Sequence, residues 1–228
     1  MKIKFIGTGG AFDFAKGTAS AVVEVGGQTI LIDCGFSTLP RLAQHDIIRD
    51  IDYILITHLH GDHVGSLPTL LPYFKYRLNQ KLPQILVPNQ AFQQELHAFL
   101  RATYEDDRAS YVKISEMPHV DYFETTDTHV PGMASYAYYF TENDTAIYFS
   151  GDTGSLEPVK TFLQERTESN ITIFHETTFQ SESMVHVPYT TLQNELTGYD
   201  VYAYHIDKAN KPADCTLKLV EEYPEFLL

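Results

Sequence analysis

Three histidines and an aspartate stand within six residues of the chain: His58, His60, Asp62 and His63. Imidazole nitrogens and carboxylate oxygens are ligands that Zn²⁺ and similar divalent ions take in proteins. In an extended or turning segment, His58 and His60 point the same way and could bind one ion. Gly61 allows a sharp turn, so Asp62 and His63 could face a second ion. The pattern favours a metal centre over a polar loop with solvent-exposed histidines.

The apolar run 53–56 immediately precedes this cluster and is rich in isoleucine and leucine. A short run of this kind is typical of a buried strand. The histidines are therefore predicted to follow the carboxyl end of a strand, where α/β proteins usually carry their chemistry.

With its order His-x-His-x-Asp-His, the segment 58–63 resembles the signature of the metallo-β-lactamase superfamily. The resemblance covers essentially the whole chain. It implies an α+β or α/β fold, a four-layer αββα sandwich, with one hydrolase domain over residues 1–228. Members of the superfamily hold one or two metal ions between two β-sheets.

The resemblance also implies further ligands downstream, each at or just after a predicted strand. His129 matches the third histidine of the first site, Asp152 matches an aspartate that bridges both ions, and His205 matches the last ligand. The implied sites are His58, His60, His129 and Asp152 for one ion, and Asp62, His63, Asp152 and His205 for the other. Room for a bridging water is typical of a catalytic centre.

Two of the carboxylates also have structural interpretations. Asp33 follows the predicted strand 29–32, and the resemblance implies that it orients a ligand histidine; a turn aspartate at a strand end is the alternative. Asp152 could instead cap a helix predicted over 155–166. The value of an oriented ligand imidazole favours the orienting role for Asp33, and the upstream histidine cluster favours the metal-ligand role for Asp152.

The segment 174–179 resembles a His-Glu-Ala-Thr-Phe stretch of the ribonuclease Z branch, and His186 resembles a histidine downstream in that branch. The departures are Thr177 for alanine, and Val187-Pro188 for Ser-Thr. By this resemblance His186 contacts phosphate or protonates the leaving oxygen and Glu176 orients it, whereas a loop histidine is the alternative. The predicted catalytic residues are Asp62, His186 and Glu176. His175 is predicted to pack within a strand.

Members of that branch that process transfer RNA carry a long arm between the third histidine and the bridging aspartate. Here little more than a hairpin joins His129 to Asp152. The chain is therefore predicted to be a phosphodiesterase of a small substrate, such as a cyclic nucleotide or short RNA, with water activated by two metal ions as the nucleophile. A metal-dependent acyl hydrolase, a tRNA 3′-processing endonuclease and a non-hydrolytic member of the superfamily are the alternatives.

Composition limits the partners. The formal charge of −14 disfavours a surface for long nucleic acid, which is bound through lysine and arginine. No run of about 18 apolar residues is present, so no membrane span is predicted. Two cysteines, Cys34 and Cys215, give no disulfide framework, and a cytoplasmic location is expected. A homodimer is implied by the resemblance alone. The ligands suit Zn²⁺ first, with Mn²⁺ or Fe²⁺ as alternatives.

Hydrophobic periodicity predicts the remaining elements. Strands are expected over 2–8, 20–25 and 29–32, with a Gly26-Gly27 hairpin turn, and again over 122–129, 134–141 and 146–149. A helix is expected over 38–50 and an amphipathic helix over 90–103. The aromatic run 136–140 is predicted to pack within a sheet. The polar stretch 102–110 is predicted to be a loop or the edge of a lid.

Overall fold

The computed structural model of the chain describes residues 1–103, 109–206 and 211–228. The strands in these ranges are β1 Lys2–Gly7, β2 Ser20–Val25, β3 Gln28–Ile32, β4 Tyr53–Leu55, β5 Gln84–Val87, β6 Tyr111–Lys113, β7 Val120–Glu124, β8 Tyr136–Glu142, β9 Thr145–Phe149, β10 Asn170–Glu176, β11 Asp200–Tyr204 and β12 Lys218–Leu219. The helices are α1 Thr38–Leu42, α2 Gly61–Val64, α3 Leu67–Pro72, α4 Gln90–Thr103, α5 Glu157–Glu165 and α6 Tyr189–Glu195. Most of the predicted lid, residues 104–108, lies outside the described ranges.

The strands form two six-stranded sheets, and each sheet follows chain order from β1 to β6 and from β7 to β12. In each sheet the first three strands are antiparallel and the later ones run parallel. The carboxyl ends of β3 and β4 therefore meet at one edge of the first sheet. Those of β9, β10 and β11 meet at one edge of the second.

The two sheets pack face to face through aromatic side chains. The ring of Phe5 in β1 lies 6.0 Å from that of Phe149, 5.3 Å from that of Phe174 and 5.5 Å from that of Tyr204, all in the second sheet. Such tilted and offset pairs add to the stabilisation that burial alone provides. The sheets are thereby held in one relative position.

The two faces of strand β8 contribute to two different hydrophobic cores. Tyr136, Tyr138 and Phe140 face the core between the sheets, whereas Ala137 and Tyr139 face a second core beneath α5 and α6. Side chains alternate across a strand, so one aromatic run serves both faces. Helices α1, α3 and α4 cover the first sheet. The four-layer αββα sandwich predicted from the resemblance is confirmed.

Two element predictions are wrong in their extent. The strand predicted over 122–129 ends at Glu124, because Asp127 adopts a left-handed backbone conformation (φ 66°) and accepts a 2.6 Å hydrogen bond from the amide of Gly132. His129 therefore lies in a loop. The helix predicted over 38–50 ends at Leu42, and a separate helical turn covers Asp46–Asp50.

Between His129 and Asp152 the chain makes only short loops and the hairpin of β8 and β9, whose turn is Asn143-Asp144. All residues of this stretch are described, and no protruding arm is present in it, as predicted. Among the described helices, none has the length and apolar character needed to span a membrane.

Candidate metal centre

The predicted metal ligands come from four places at one end of the sandwich. The cluster 58–63 follows β4, with Asp62 and His63 inside the short helix α2; Asp152 follows β9, and His205 follows β11. His129 comes from the loop after β7. Because these strands end at facing edges of the two sheets, ligands far apart in the sequence lie close together.

Three histidines form the first group. Nε2 of His58 lies 2.9 Å from Nδ1 of His60, which in turn lies 3.1 Å from Nε2 of His129. The expectation that His58 and His60 point the same way is met. Asp152 lies at the edge of this group, with its Oδ2 3.9 Å from Nε2 of His129.

The second group contains Asp62, His63, Asp152 and His205, all buried. Nε2 of His63 lies 3.3 Å from Oδ2 of Asp62 and 3.4 Å from Oδ2 of Asp152. Nε2 of His205 lies 3.3 Å from the same two oxygen atoms. Ligands about 2.0–2.1 Å from an ion at the centre of a tetrahedron lie about 3.3–3.4 Å from one another. These four distances are those expected between ligands of a tetrahedral site.

Unsatisfied polar atoms support the same interpretation. Nε2 of His63 and Oδ1 of Asp152 are buried and have no hydrogen-bond partner among the described residues. Buried polar atoms without partners are costly and rare unless they bind an ion or water. A divalent cation held by the second group fits Nε2 of His63, and one held by either group fits Oδ1 of Asp152.

The charge states of the ligands also suit a cation. Burial lowers the pKa of His58 well below its usual range, and also lowers the pKa of His60 and His129, so these imidazoles stay neutral. Burial opposes ionisation of Asp152, but the nearby His205 and His63 hold its pKa well below the ordinary value. Metal ions bind neutral imidazole and ionised carboxylate, which are the forms favoured for these four residues. His63 differs: burial opposes its protonation, but the charges of Asp152 and Asp33 raise its pKa well above the ordinary value, so a cation bound there would replace its proton.

Asp33 and Thr57 contact two of the predicted ligand histidines. Oδ2 of Asp33 lies 2.8 Å from Nδ1 of His63, and Oδ1 accepts a 2.7 Å hydrogen bond from the amide of Thr57. The Thr57 hydroxyl donates to Asp33 at 2.9 Å and lies 3.0 Å from Nδ1 of His58. Asp33 thus contacts a predicted ligand histidine, and its orienting role stays a prediction.

Two residues of the centre have left-handed backbone conformations that amino acids other than glycine seldom adopt. Asp33 has φ 59° and His205 has φ 60°. The His205 amide donates a 2.8 Å hydrogen bond to the carbonyl of Thr8, which holds this turn in place. Such positions are over-represented at functional sites.

Glu176 and His186 form a hydrogen-bonded pair beside the two groups. Nδ1 of His186 lies 2.9 Å from Oε2 of Glu176, whose Oε1 accepts a 2.9 Å hydrogen bond from the amide of Val187. The His186 ring lies 5.1 Å from that of His129 and 5.3 Å from that of His205. The Glu176 side chain is fully buried, and that of His186 is 25% exposed. The pair is thus adjacent to the centre, and its histidine is accessible to a ligand.

His175 is buried in β10 and bonds through Nδ1 to the carbonyl of Glu176, as the strand-packing prediction requires. Two contacts of the centre were not predicted. One is the Thr57 hydroxyl, for which the signal was its position next to the histidine cluster. The other is the backbone carbonyl of Val185, 2.7 Å from Nδ1 of His129, for which no residue type gives a signal.

Comparison with known proteins agrees with this geometry. The family profile described as "Anti-Pycsar protein Apyc1" matches residues 1–216 of the chain. A protein of that description from Paenibacillus sp. (strain J14) is 31% identical over 214 residues, which cover 86% of this chain and 83% of that protein.

Solved structures show the same fold. The metallo-β-lactamase fold protein YhfI from Bacillus subtilis superposes with a TM-score of 0.71 and 16% identity, over 92% of this chain and 87% of that one. The short form of human tRNase Z gives a TM-score of 0.63 and 20% identity, over 91% of this chain and 93% of that one. The superfamily resemblance read from the histidine cluster is confirmed.

Proposed function

Because the chain belongs to the family of anti-Pycsar Apyc1 proteins, we propose that it cleaves cyclic nucleotides, with its two groups of ligands holding two divalent ions, Zn²⁺ first among them. The family consists of phosphodiesterases with the metallo-β-lactamase fold, and the chain is accordingly a hydrolase of small phosphodiesters. The observation that carries the proposal is the meeting of the two groups at Asp152, with the Glu176–His186 pair beside them.

The proposed ligands are His58, His60 and His129 for one ion, Asp62, His63 and His205 for the other, and Asp152 for both. When bound, divalent ions lower the pKa of a coordinated water and neutralise charge on a phosphate. The neutral state of the first three histidines and the ionised state of Asp152 suit that role.

Hydrolysis of a phosphodiester consumes one water, breaks one P–O bond and leaves a proton on the departing oxygen. His186 is our candidate to supply that proton. Because Nδ1 of His186 donates to the buried Glu176, the proton would be transferred from Nε2 of the same ring. The hydrogen bonds of Glu176 to His186 and to the amide of Val187 fix its carboxylate, and thereby the His186 ring. A positioned acid of this kind contributes about 10²–10⁴-fold to a rate.

The short connection between His129 and Asp152 and the formal charge of −14 support a small substrate over transfer RNA. A homodimer belongs to the same proposal, since it is implied by resemblance, and sedimentation velocity at several concentrations measures it. Monomeric behaviour throughout would remove that part alone.

The proposal is tested with bis(p-nitrophenyl) phosphate, cyclic adenosine monophosphate and p-nitrophenyl acetate, each with Zn²⁺ or Mn²⁺ added and then chelated. We expect metal-dependent hydrolysis of both phosphodiesters, with release of p-nitrophenol from one and ring opening to adenosine monophosphate in the other, abolished by chelation and by Asp152→Ala. Cleavage of the acetate ester alone would show an acyl hydrolase instead. Absence of hydrolysis of every phosphodiester, with metal bound at the expected amount, would refute the phosphodiesterase assignment.

A further inference from the structure

Three phenylalanines expose their rings close to the metal centre. The side chains of Phe12, Phe14 and Phe36 are 78%, 71% and 43% exposed, although aromatic residues of this size are normally largely buried. We propose that these three rings form a stacking surface for the base of a nucleotide substrate. This inference rests on the proposed phosphodiesterase function and specifies how the substrate is recognised.

Phe36 lies beside the helix that carries two of the ligands. A Cβ atom added to the preceding Gly35 would stand 1.8 Å from the carbonyl oxygen of Asp62, so this backbone touches the ligand segment. Cβ of Phe36 lies 3.4 Å from the position of a Cβ on Gly65, at the end of α2. The ring is thus attached next to Asp62 and His63.

Phe14 reaches the same place from the loop after β1, and Phe12 stands two residues before it in that loop. This loop begins where Thr8 accepts a hydrogen bond from the amide of His205, and the amide of Gly10 bonds to the carbonyl of Ile206. The ring of Phe14 lies 6.0 Å from that of Phe36, tilted by 52°. Two segments that each contact a metal ligand therefore bring their rings together.

The loop is held by its own hydrogen bonds. Oδ1 of the buried Asp13 accepts bonds of 3.1 Å from the amides of Ala15 and Lys16, and the Arg41 guanidinium donates to the carbonyls of Phe14 and Ala15. Rings presented on a fixed backbone lose little conformational entropy when a ligand stacks on them. The backbone that carries the exposed rings is therefore organised before any ligand arrives.

A base is the occupant that this chemistry favours. Every nucleobase has a π-face that stacks on an aromatic ring without regard to sequence, and the phosphate of the same molecule would lie at the adjacent ligands. A second copy of the chain is the competing occupant, but a stable interface takes about 800 Å² from each partner. Three rings offer only part of that area.

The chain contains no tryptophan, so Phe36→Trp creates a single fluorescent reporter at the proposed surface. The matched control is Tyr199→Trp, because Tyr199 is also exposed, at 47%. Tyr199 precedes β11 and His205 follows it, so the length of this strand separates Tyr199 from the metal centre by about 17–20 Å. We expect the phosphorothioate analogue of cyclic adenosine monophosphate to quench the fluorescence of the Phe36→Trp variant and to leave that of the Tyr199→Trp variant unchanged. Equal quenching of both reporters, or none, would overturn the inference.

Kinetics give an independent measurement. Phe14→Ala and Phe36→Ala should each raise KM for cyclic adenosine monophosphate about tenfold, with a much smaller effect on kcat, because stacking holds the substrate before and during reaction. Tyr199→Ala should match the unchanged protein. If bis(p-nitrophenyl) phosphate is cleaved but the phenylalanine variants behave like Tyr199→Ala, the stacking surface is refuted while the proposed function stands. A concentration-dependent sedimentation change in the phenylalanine variants, without a KM change, would assign the rings to a second copy instead.

Discussion

Oδ2 of Asp33 lies 2.8 Å from Nδ1 of His63, and this contact directs the other imidazole nitrogen, Nε2, towards Asp62 and Asp152. A residue at the end of β3 thus sets the direction of a side chain that follows β4. Partners of this kind affect metal affinity without touching the metal.

Replacing this partner should weaken metal binding. Asp33→Asn removes the charge that faces His63, and we expect metal affinity to fall about 10–100-fold. Titration of Zn²⁺ against a competing chelating dye measures the change. Asp50→Asn, at an exposed carboxylate, is the control, and equal affinity in the two variants would contradict the orienting role.

His186 and Asp152 should separate catalysis from metal binding. His186→Ala should keep its metal content and lose about 10²–10⁴-fold in turnover of bis(p-nitrophenyl) phosphate, since it removes a proton donor. Asp152→Ala should lose both metal and turnover. Elemental analysis of the purified variants gives the metal content, and unchanged turnover in the His186 variant would end its assignment.

The Thr57 hydroxyl should matter more than the Thr57 methyl group. Thr57→Val leaves Asp33 and His58 without their shared partner in a buried site, and we expect the free energy of unfolding to fall by about 1–3 kcal/mol. Thr57→Ser retains the hydroxyl and should lose less. Urea denaturation of the two variants checks this, and a Ser variant as unstable as the Val variant would assign the effect to packing.

Two glycines near the centre should respond differently to alanine. A Cβ on Gly35 would overlap the Asp62 carbonyl at 1.8 Å, whereas a Cβ on Gly61 meets no atom of the described residues within 4 Å. Gly35→Ala should therefore destabilise by about 1–3 kcal/mol or more, because backbone must move. Gly61→Ala should leave the thermal midpoint unchanged or slightly raised. Equal midpoints would show that the Asp62 segment is free to shift.

The sequence was sufficient for the ligands whose residue types carry the chemistry. The spacing of His58, His60 and His63 predicted a cluster of ligand-type side chains, the resemblance added His129 and His205, and the structure brings all five together. The sequence did not predict where the backbone turns. The strand that was expected to end at His129 stops five residues earlier, because Asp127 turns the chain, and apolar alternation gives no warning of that turn.

The same limit applies to the left-handed conformation of His205 and to the carbonyl of Val185 that contacts His129. Both features depend on how distant segments meet. The carbonyl of Thr8 fixes the backbone of His205, and the loop between β10 and α6 provides the carbonyl of Val185. Any residue type can offer a carbonyl, so no pattern marks it.

Asp62 and His205 stand 143 positions apart, and their side chains lie 3.3 Å from each other. Asp62 follows a strand of the first sheet and His205 follows a strand of the second, so an ion bound between them would link the two halves of the molecule reversibly. The four ligands of this group come together only when both halves have docked, so the full affinity of the group for an ion depends on the docked fold. Removal of the ion by a chelator would then loosen the end of the sandwich that carries Asp62 and His205 first. The aromatic contacts of Phe5 would still hold the two sheets together.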